Sequence, residues 1–397
     1  MTAPGEFAQW GVGADREAKL PRRRVVVATF GSAGDLFPLI PVVGRLQQHN
    51  CEVLWICNRT LGLFLRALGY RSVSVGPPNE FGAGNDGTLL TTRFDGWASW
   101  SRLMDGHIAP TLSSDISTVQ SVFDKWRPDV VLASGFAVAC REAALRHGIP
   151  LVDLSIYPQH QLAGSGRRLG HAVRSQLEAD DWRSAERSMW GSPASAILAE
   201  PAFDPRVHGA IGYPYWDGLA TSQTDHEEQA QWIESVGQYA VVCLGSFIGL
   251  DATAFWTSMC EMQPALRVSL LLVGARHALG VLNTQNLLTT AYMPLRDALH
   301  GAVLSVHHGG LGTTVASIAA GCPAVVVPHG FDQARNARIV EGHHAGLSAA
   351  LSTVEAAIRT ILGDRSYASA ASDLSTRFVG PEIAADRAAA IVLGSAP

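Results

Sequence analysis

The chain has 397 residues, of which 47% are hydrophobic and 16% are charged, and its formal net charge is −5 at neutral pH. This length exceeds the usual size of one hydrophobic core, and the composition is that of a soluble globular protein, so we expect two folded domains. A weakly acidic chain has no general attraction to nucleic acid or to anionic lipid, and we expect neither as a partner.

The amino-terminal residues and the cysteines indicate the compartment. Residues 1–21 lack the apolar core of a secretory signal and are expected to form a flexible tail. No apolar run approaches membrane-spanning length, so we expect no stable membrane insertion. The cysteines form no CxxC pair and mostly lie in apolar runs, which favours reduced core residues in a cytoplasmic protein. The six are Cys51, Cys57, Cys140, Cys243, Cys260 and Cys322.

Strand and helix patterns alternate from residue 24 onward. Residues 25–30 form a near-continuous apolar run typical of a buried parallel strand, and a glycine turn over 31–35 follows it. Apolar positions over 39–46 keep helical spacing, and 52–57 predict the next strand. The pattern returns at 128–133, in a helix that ends near 147, and at 149–154. This is the opening of a Rossmann-like domain.

Two irregular stretches, near 76–110 and 155–200, interrupt this domain. Loops of such length are usually functional or mobile. Trp97 and Trp100 lie in the first stretch, and Trp182 and Trp190 lie in the second. Their large side chains could line an acceptor pocket or could form local loop cores, and the sequence favours neither.

A domain boundary is predicted after residue 215, where a polar segment follows Gly212-Tyr213-Pro214-Tyr215. A second alternation begins with the buried strand at 239–244, a helix near 251–262 and a strand over 268–273. We therefore expect two Rossmann-like domains that face each other across a cleft, at 22–215 and 239–375, joined by a linker at 216–238. Residues 376–397 are alanine-rich and predict a helix.

The most informative stretch of the chain lies at 301–316, where the apolar run 301–306 predicts a strand and His307-His308-Gly309-Gly310-Leu311-Gly312-Thr313-Thr314 follows it. The glycines allow a tight turn and a close approach of the backbone to a ligand. Thr313 and Thr314 are expected to open a helix that Gly321 ends. Free backbone amides and the positive end of the helix dipole then predict a diphosphate cradle.

Other interpretations of this stretch remain open. A glycine turn between a strand and a helix is ordinary in α/β proteins, and one of the two histidines could serve packing or fix a tautomer. Adjacent residues point apart and no third ligand stands at helical spacing, so we expect no metal site.

Three motifs together resemble the donor-binding signature of GT-B glycosyltransferases, closest to the bacterial branch that decorates antibiotics, macrolides and sterol-like lipids. They are the His-His-Gly-Gly-x-Gly-Thr-Thr stretch, residues 320–328, and the pair Asp332-Gln333. Tyr292-Met293-Pro294 is similar to the family's element that faces the nucleobase. The resemblance covers roughly residues 290–346, and it implies that the last helix returns to the first domain.

For the donor, the resemblance implies a nucleotide sugar, UDP- or dTDP-linked with GDP remaining open, and no cofactor. It implies that Tyr292 stacks on the base while the Met293 backbone reads its edge, and that Asp332 and Gln333 hold sugar hydroxyls. Asp332 could instead only cap the helix over 333–342. The diphosphate site would consist of Ser246, His307, Gly309, Gly310, Gly312 and Thr313.

For the acceptor, the resemblance implies that Asp35 stands in the position of the family's histidine base, within Gly34-Asp35-Leu36-Phe37-Pro38. An ordinary carboxylate is a poor base for an alcohol, so it would need burial and concerted proton transfer. Asp35 could instead cap a helix that starts near residues 36–38. Ser32 could orient the acceptor or be a turn residue. Trp97 and Trp100 are the other acceptor-side candidates.

The function implied is inverting, metal-independent transfer of a hexose from a nucleotide diphosphate sugar to a hydroxyl of a small, antibiotic-like secondary metabolite, by a monomer or homodimer. The absence of an Asp-x-Asp motif favours catalysis without a divalent metal. A sterol or lipid acceptor, a nucleotide-sugar epimerase with the same fold, and a non-catalytic binding partner remain as alternatives.

Overall fold

The structure, a computed structural model, describes residues 22–76, 111–135, 137–155, 194–205, 207, 209–216, 218, 223–245, 252–330 and 332–395. Within them the chain forms two α/β halves, each built around a mainly parallel sheet. The predicted fold class, α/β with two Rossmann-like domains, is confirmed. No helix among the described residues combines the length and the apolar character needed to cross a bilayer.

The first half contains six described strands: β1 (Arg24–Ala28), β2 (Glu52–Cys57), β3 (Ser72–Ser74), β4 (Val130–Ser134), β5 (Leu151–Ser155) and β6 (Ala194–Ile197). They run parallel in the order β3-β2-β1-β4-β5-β6, as in a dinucleotide-binding sheet. The order in which strands are added reverses between β1 and β4, and ligands of such sheets bind at the carboxyl edge beside this point. Helices α1 (Ala33–Leu36), α2 (Leu39–Gln48), α3 (Arg59–Ala67), α4 (Leu112–Trp126) and α5 (Val138–Arg146) accompany the sheet.

The second half contains β7 (Tyr239–Cys243), β8 (Ser269–Val273), β9 (Asn283–Thr284), β10 (Leu287–Thr290), β11 (Leu304–His307), β12 (Ala324–Val326) and β13 (Gly346–Ser348). Their order is β13-β12-β11-β7-β8-β10-β9, and only β9 runs antiparallel to its neighbour. β11 therefore lies beside the central strand β7, so the turn after it opens at the middle of the sheet's carboxyl edge.

The helices of the second half are α6 (Gln223–Ser235), α7 (Ala252–Leu266), α8 (Arg276–Leu279), α9 (Leu295–Leu299), α10 (Leu311–Ala319), α11 (Gln333–Gly342), α12 (Val354–Gly363) and α13 (Ser366–Ser375). The predicted linker at 216–238 is wrong over α6, which packs on the second sheet. Gln229 and Trp232 are its buried residues, and Trp232 joins a core cluster with Tyr239 and Met293. Only these two residues of the helix are buried. The others are mostly polar, so the composition of the segment resembled that of a linker.

The last helix, α14 (Pro381–Ser395), packs on the first half although it follows the second in sequence. Its apolar face joins the core beneath β1, and its polar face is tied to α2 because Arg45 bridges Glu382 at 3.1 Å and Asp386 at 2.9 Å. The residues that enter the core are Ala385, Ala388, Ala389 and Val392.

The segment before α6 joins the two halves. Tyr213 belongs to the core of the first half together with Val315 from α10, and Phe203 packs with Ala337 from α11. An ion pair between Asp204 and Arg335 lies beside that contact. These contacts bring the carboxyl edges of both central strands to one cleft.

Candidate active site

The turn after β11 requires glycine at two positions. Gly309 has φ +90°, and a Cβ there would lie 2.6 Å from a Val326 methyl group. A Cβ on Gly310 would lie 2.4 Å from the His308 ring. Bulkier residues would therefore displace the turn, as the sequence predicted.

Helix α10 begins at Leu311, two residues earlier than predicted, with Gly310 as its N-cap. Gly310 has no side chain to accept from the first amides, so those of Gly312 and Thr313 remain available to an anion. The Thr314 hydroxyl donates to the Gly310 carbonyl at 2.9 Å and is structural. The Thr313 hydroxyl forms no hydrogen bond with another described residue.

His307, which is fully buried at the end of β11, has one nitrogen bonded and one unpartnered. The Gly309 N–H donates to its Nδ1 at 3.0 Å, which assigns the proton to Nε2. No described residue accepts from that Nε2. The Nδ1 of His307 therefore fixes the turn, while its Nε2 is left as an unused donor.

Two further imidazoles accompany His307. His308 is 7% exposed and its Nδ1 has no partner among the described residues; the same holds for Nε2 of His329. Burial, with a smaller contribution from the neighbouring imidazole, lowers the pKa of His307 to about 3 and that of His308 to about 4, and burial also lowers the pKa of His329. The cluster is therefore neutral at physiological pH, and it would offer an anion dipoles rather than positive charge. No motif in the sequence had indicated a function for His329.

Asp332 and Gln333 lie where α11 begins, directly beside the glycine turn. Asp332 occupies the N-cap position but makes no side-chain cap, so the capping alternative is wrong. Its carboxylate instead accepts from Asn336 at 2.7 Å, and the same Asn336 amide donates to the Gly309 carbonyl at 2.8 Å. Asn336 thus joins α11 to the turn, a long-range contact that no motif in the sequence signalled.

Gln333 is 3% exposed, and its side-chain oxygen is already used. That oxygen accepts from the backbone N–H groups of His329 at 2.7 Å and Gly330 at 3.0 Å. Its amide NH₂ is therefore the part that can serve a ligand, as a donor only. The sequence interpretation had expected it to donate and accept.

Asp35 is not the N-cap of a helix that starts near residues 36–38, which was the alternative considered from the sequence. Helix α1 starts at Ala33 with Ser32 as N-cap, and Asp35 is the third helical residue of a capping box. Its Oδ2 accepts from the Ser32 N–H at 2.8 Å and from the Ser32 hydroxyl at 3.2 Å. The spacing of Ser32 and Asp35, three residues apart, was the signal that could have identified this box.

The surroundings of Asp35 fix its position and its proton affinity. Gly31 has φ +131°, and a Cβ there would lie 2.4 Å from the carboxylate, so only glycine fits. Buried Asn58 donates to the Gly31 carbonyl at 2.8 Å and holds the turn. Burial raises the pKa of Asp35 to about 6 against the lowering effect of the Ser32 hydrogen bonds, and Asp332 raises it further.

Asp332 belongs to the opposite half, yet its charge acts on Asp35. Burial likewise raises the pKa of Asp332 to about 6, and both carboxylates act on the Tyr213 hydroxyl. The structure therefore brings together the predicted base and the predicted sugar-binding carboxylate.

The predicted nucleobase residues lie just after β10. The Tyr292 side chain is 38% exposed, and its hydroxyl reaches the backbone of Gly218 so closely that a Cβ there would overlap it. Gln229 donates to the Tyr292 carbonyl at 3.0 Å, while the Met293 side chain is buried. Ser246, Trp97 and Trp100 lie outside the described residues, as do Trp182 and Trp190.

Two other features complete the site. A hollow at the carboxyl end of the first sheet is mainly apolar, and its lining includes Phe30, Val75, Leu112 and Asp115. Over the described ranges, no group of three or more His, Cys, Asp or Glu side chains could hold a metal ion.

Comparison with known proteins identifies what this arrangement resembles. Residues 270–386 match a family described as erythromycin biosynthesis protein CIII-like, C-terminal domain. The chain is 25% identical to the elloramycin glycosyltransferase of Streptomyces olivaceus, over 92% of this chain and 96% of that protein.

Solved structures agree with the fold. The glycosyltransferase of kitacinnamycin superposes with a TM-score of 0.72 at 18% identity, over 95% of this chain and all of the other. A glycosyltransferase of Streptomyces sp. SF2575, complexed with thymidine diphosphate, gives 0.69 at 18% identity over 92% and 99% of the two chains. The resemblance to GT-B glycosyltransferases of antibiotic pathways is confirmed, and so is the predicted enzyme class, a nucleotide-sugar-dependent glycosyltransferase.

Proposed function

We propose that this glycosyltransferase moves a hexose from a dTDP- or UDP-linked sugar to a hydroxyl of a small, antibiotic-like secondary metabolite, with inversion and without a metal. The observation that carries the proposal is that the Asp332 charge of one half acts on Asp35 of the other, near a turn where a helix N-terminus and imidazoles have unused donors. Inversion requires a base and a leaving group on opposite faces of the anomeric carbon, and this arrangement supplies groups from opposite halves.

The second half would bind the donor. The amides of Gly310, Gly312 and Thr313, the Thr313 hydroxyl and the His307 Nε2–H would bind the diphosphate, with Ser246 as a further candidate. The predicted contact from the Gly309 amide is wrong, because that N–H donates to His307 Nδ1. Tyr292 would stack on the base, and the Met293 backbone would read its edge. Asp332 would accept from a sugar hydroxyl, while the Gln333 amide would donate to another.

Asp35 would act as the base. The acceptor oxygen attacks the anomeric carbon while its proton moves to the Asp35 carboxylate, and the bond from that carbon to the diphosphate oxygen breaks. A carboxylate whose pKa lies at about 6 is a better base than an ordinary one, yet it stays mostly ionised at neutral pH. Ser32 holds Oδ2, which leaves Oδ1 to face the acceptor.

Charge develops on the leaving diphosphate in the transition state, so fixed donors there contribute most to the rate. The neutral imidazoles and the helix N-terminus can stabilise it without a cation, and this supports turnover without a metal. The donor nucleotide is supported by the thymidine diphosphate of the solved relative, and the acceptor class by the elloramycin relative.

The acceptor would enter from the first half. The hollow beside Phe30 and Val75 lies at the same edge of the sheet as Asp35, and its apolar side chains would form part of the wall that an aglycone contacts. Trp97 and Trp100 would extend that surface. The buried, unpaired cysteines support the cytoplasmic location expected from the sequence.

The decisive experiment incubates the full chain with dTDP- and UDP-hexoses and a panel of polyketide aglycones and sterols. We expect a glycoside of an aglycone whose anomeric configuration, measured by NMR, is opposite to that of the donor. Asp35→Asn should lower turnover by at least about 100-fold, whereas exposed Asp373→Asn should not change it.

Four results would contradict parts of this proposal. Activity that EDTA abolishes and Mg²⁺ restores would overturn metal independence. Epimerised sugar nucleotide formed without an acceptor would identify an isomerase, and preferred transfer to sterols would identify a lipid glycosyltransferase. Full activity of Asp35→Asn would remove Asp35 from catalysis.

A further inference from the structure

Tyr213 is held rigidly where the two halves meet. It is 4% exposed, and its ring packs in one core cluster with Val315 from α10. Its backbone N–H donates to Glu200 at 3.0 Å, and the other Glu200 oxygen accepts from the Val379 N–H at 2.8 Å. The position of the ring is therefore fixed by contacts on both sides.

The phenol oxygen of Tyr213 lies beside the first turn of α10. A Cβ added to Gly312 would lie 3.1 Å from that oxygen, so a larger residue at 312 would press on the hydroxyl. The hydroxyl forms no hydrogen bond with any other described residue, which makes it an unused donor next to the amides of the predicted diphosphate cradle. A ligand oxygen bound at the cradle would be an acceptor for this donor.

The charges around the phenol keep it a donor. Burial raises the pKa of Tyr213 well above its ordinary value, and Asp35 and Asp332 raise it further. The hydroxyl therefore keeps its proton throughout the working pH range. The protonated hydroxyl is neutral. It can therefore donate to an anion bound near Asp35 and Asp332, although the charges of those carboxylates repel that anion.

We propose that Tyr213 is a catalytic residue whose hydroxyl donates a hydrogen bond to the leaving diphosphate. It lies in the segment before α6 and would complete the diphosphate cradle of the second half. This inference rests on the proposed function, since it needs a nucleotide diphosphate at the glycine turn. The bond strengthens as charge accumulates on the diphosphate, so it stabilises the transition state more than the bound donor.

The test compares Tyr213→Phe with wild type in calorimetric titrations of thymidine and uridine diphosphates and monophosphates, and in turnover. Phenylalanine keeps the ring and its packing. We expect diphosphate affinity to fall about 10-fold and kcat to fall about 30-fold, while monophosphate affinity changes less than about 2-fold. Tyr367→Phe, which alters an equally buried tyrosine stacked on His344, is the control and should match wild type.

The outcomes separate this role from the alternatives. Unchanged diphosphate affinity and kcat would overturn it, and so would an equal loss with monophosphates. A lower kcat with unchanged diphosphate affinity and a displaced acid limb of the pH profile would mean that Tyr213 acts on the titration of Asp35. That result would also overturn the proposed contact with the diphosphate. A wild-type chain that binds neither diphosphate would overturn the proposed function itself, whereas normal wild-type binding with an unaffected variant overturns only this inference.

Discussion

Removing the Ser32 hydroxyl should weaken turnover only at acidic pH. The hydroxyl stabilises the ionised Asp35 carboxylate from 3.2 Å, and the Ser32 backbone N–H at 2.8 Å remains in a Ser32→Ala variant. The carboxylate therefore keeps its position but loses one of its donors. Its pKa, about 6 in the wild type, should rise because the charged form is less stabilised.

The size of the rise follows from the geometry. A distance of 3.2 Å is long for a hydroxyl donor, so we take about 1 kcal/mol, which is below the usual range of about 1.5–3 kcal/mol for a bond to a charged group. That free energy corresponds to about 0.7 pKa units. The ionised fraction of Asp35 should then fall about threefold near pH 6 and about 1.4-fold near pH 7, with almost no change at about pH 8.5. Loss of the N-cap should also reduce unfolding stability by about 1 kcal/mol.

The assay is a pH profile of kcat/KM at saturating nucleotide sugar, with urea unfolding at each pH to verify that both proteins are folded. Ser32→Thr keeps the hydroxyl and should resemble wild type, and Ser114→Ala, which removes an exposed hydroxyl on α4, should leave the profile unchanged. A uniform loss at all pH values, or an acid limb that does not move, would refute Asp35 as the group that titrates in turnover.

Three further predictions concern binding and stability. His307→Leu removes the unused Nε2–H and should weaken calorimetric affinity for a nucleoside diphosphate about 10- to 100-fold, whereas His307→Gln, which keeps a donor, should lose less. Because the three imidazoles are neutral, affinity for an intact nucleotide sugar should show no rise between about pH 8 and 6.5; a rise would mean that a protonated imidazole binds it. Asp153→Ala removes the carboxylate that forms an ion pair with buried Arg141 and should lower the free energy of unfolding in urea by about 3 kcal/mol, and a cost below about 1 kcal/mol would contradict this.

The sequence predicted most of the fold because its signals are local. The apolar run that became β1, the helix after Pro38 and the glycine turn at 309 each depend on neighbouring residues and were located within a few positions. Helix α6 was missed for the same reason. Its only local signal is one buried stripe, and the second sheet that covers Trp232 lies far away in sequence.

The site was predicted less completely because its geometry depends on contacts between distant residues. The motifs indicated Asp35 and Asp332 separately, yet nothing local shows that the Asp332 charge acts on Asp35. Asn336 and Tyr213 have no motif at all, and they become relevant only when folding brings them to the glycine turns. The position of Ser32 as N-cap was available from spacing, but the helix was expected to start three residues later.

The proton affinity of Asp35 is a property of both halves. Burial is the largest cause of its raised pKa, and Asp332 of the second half adds to it, while Ser32 within the first half lowers it. A first half that opened away from the second would expose the carboxylate to water and remove the second charge, so its pKa would return towards the ordinary value of about 3.9. Asp35 would then be a weaker base. In the role proposed for Asp35, contact between the halves would therefore raise its proton affinity only while the donor-binding half lies against it.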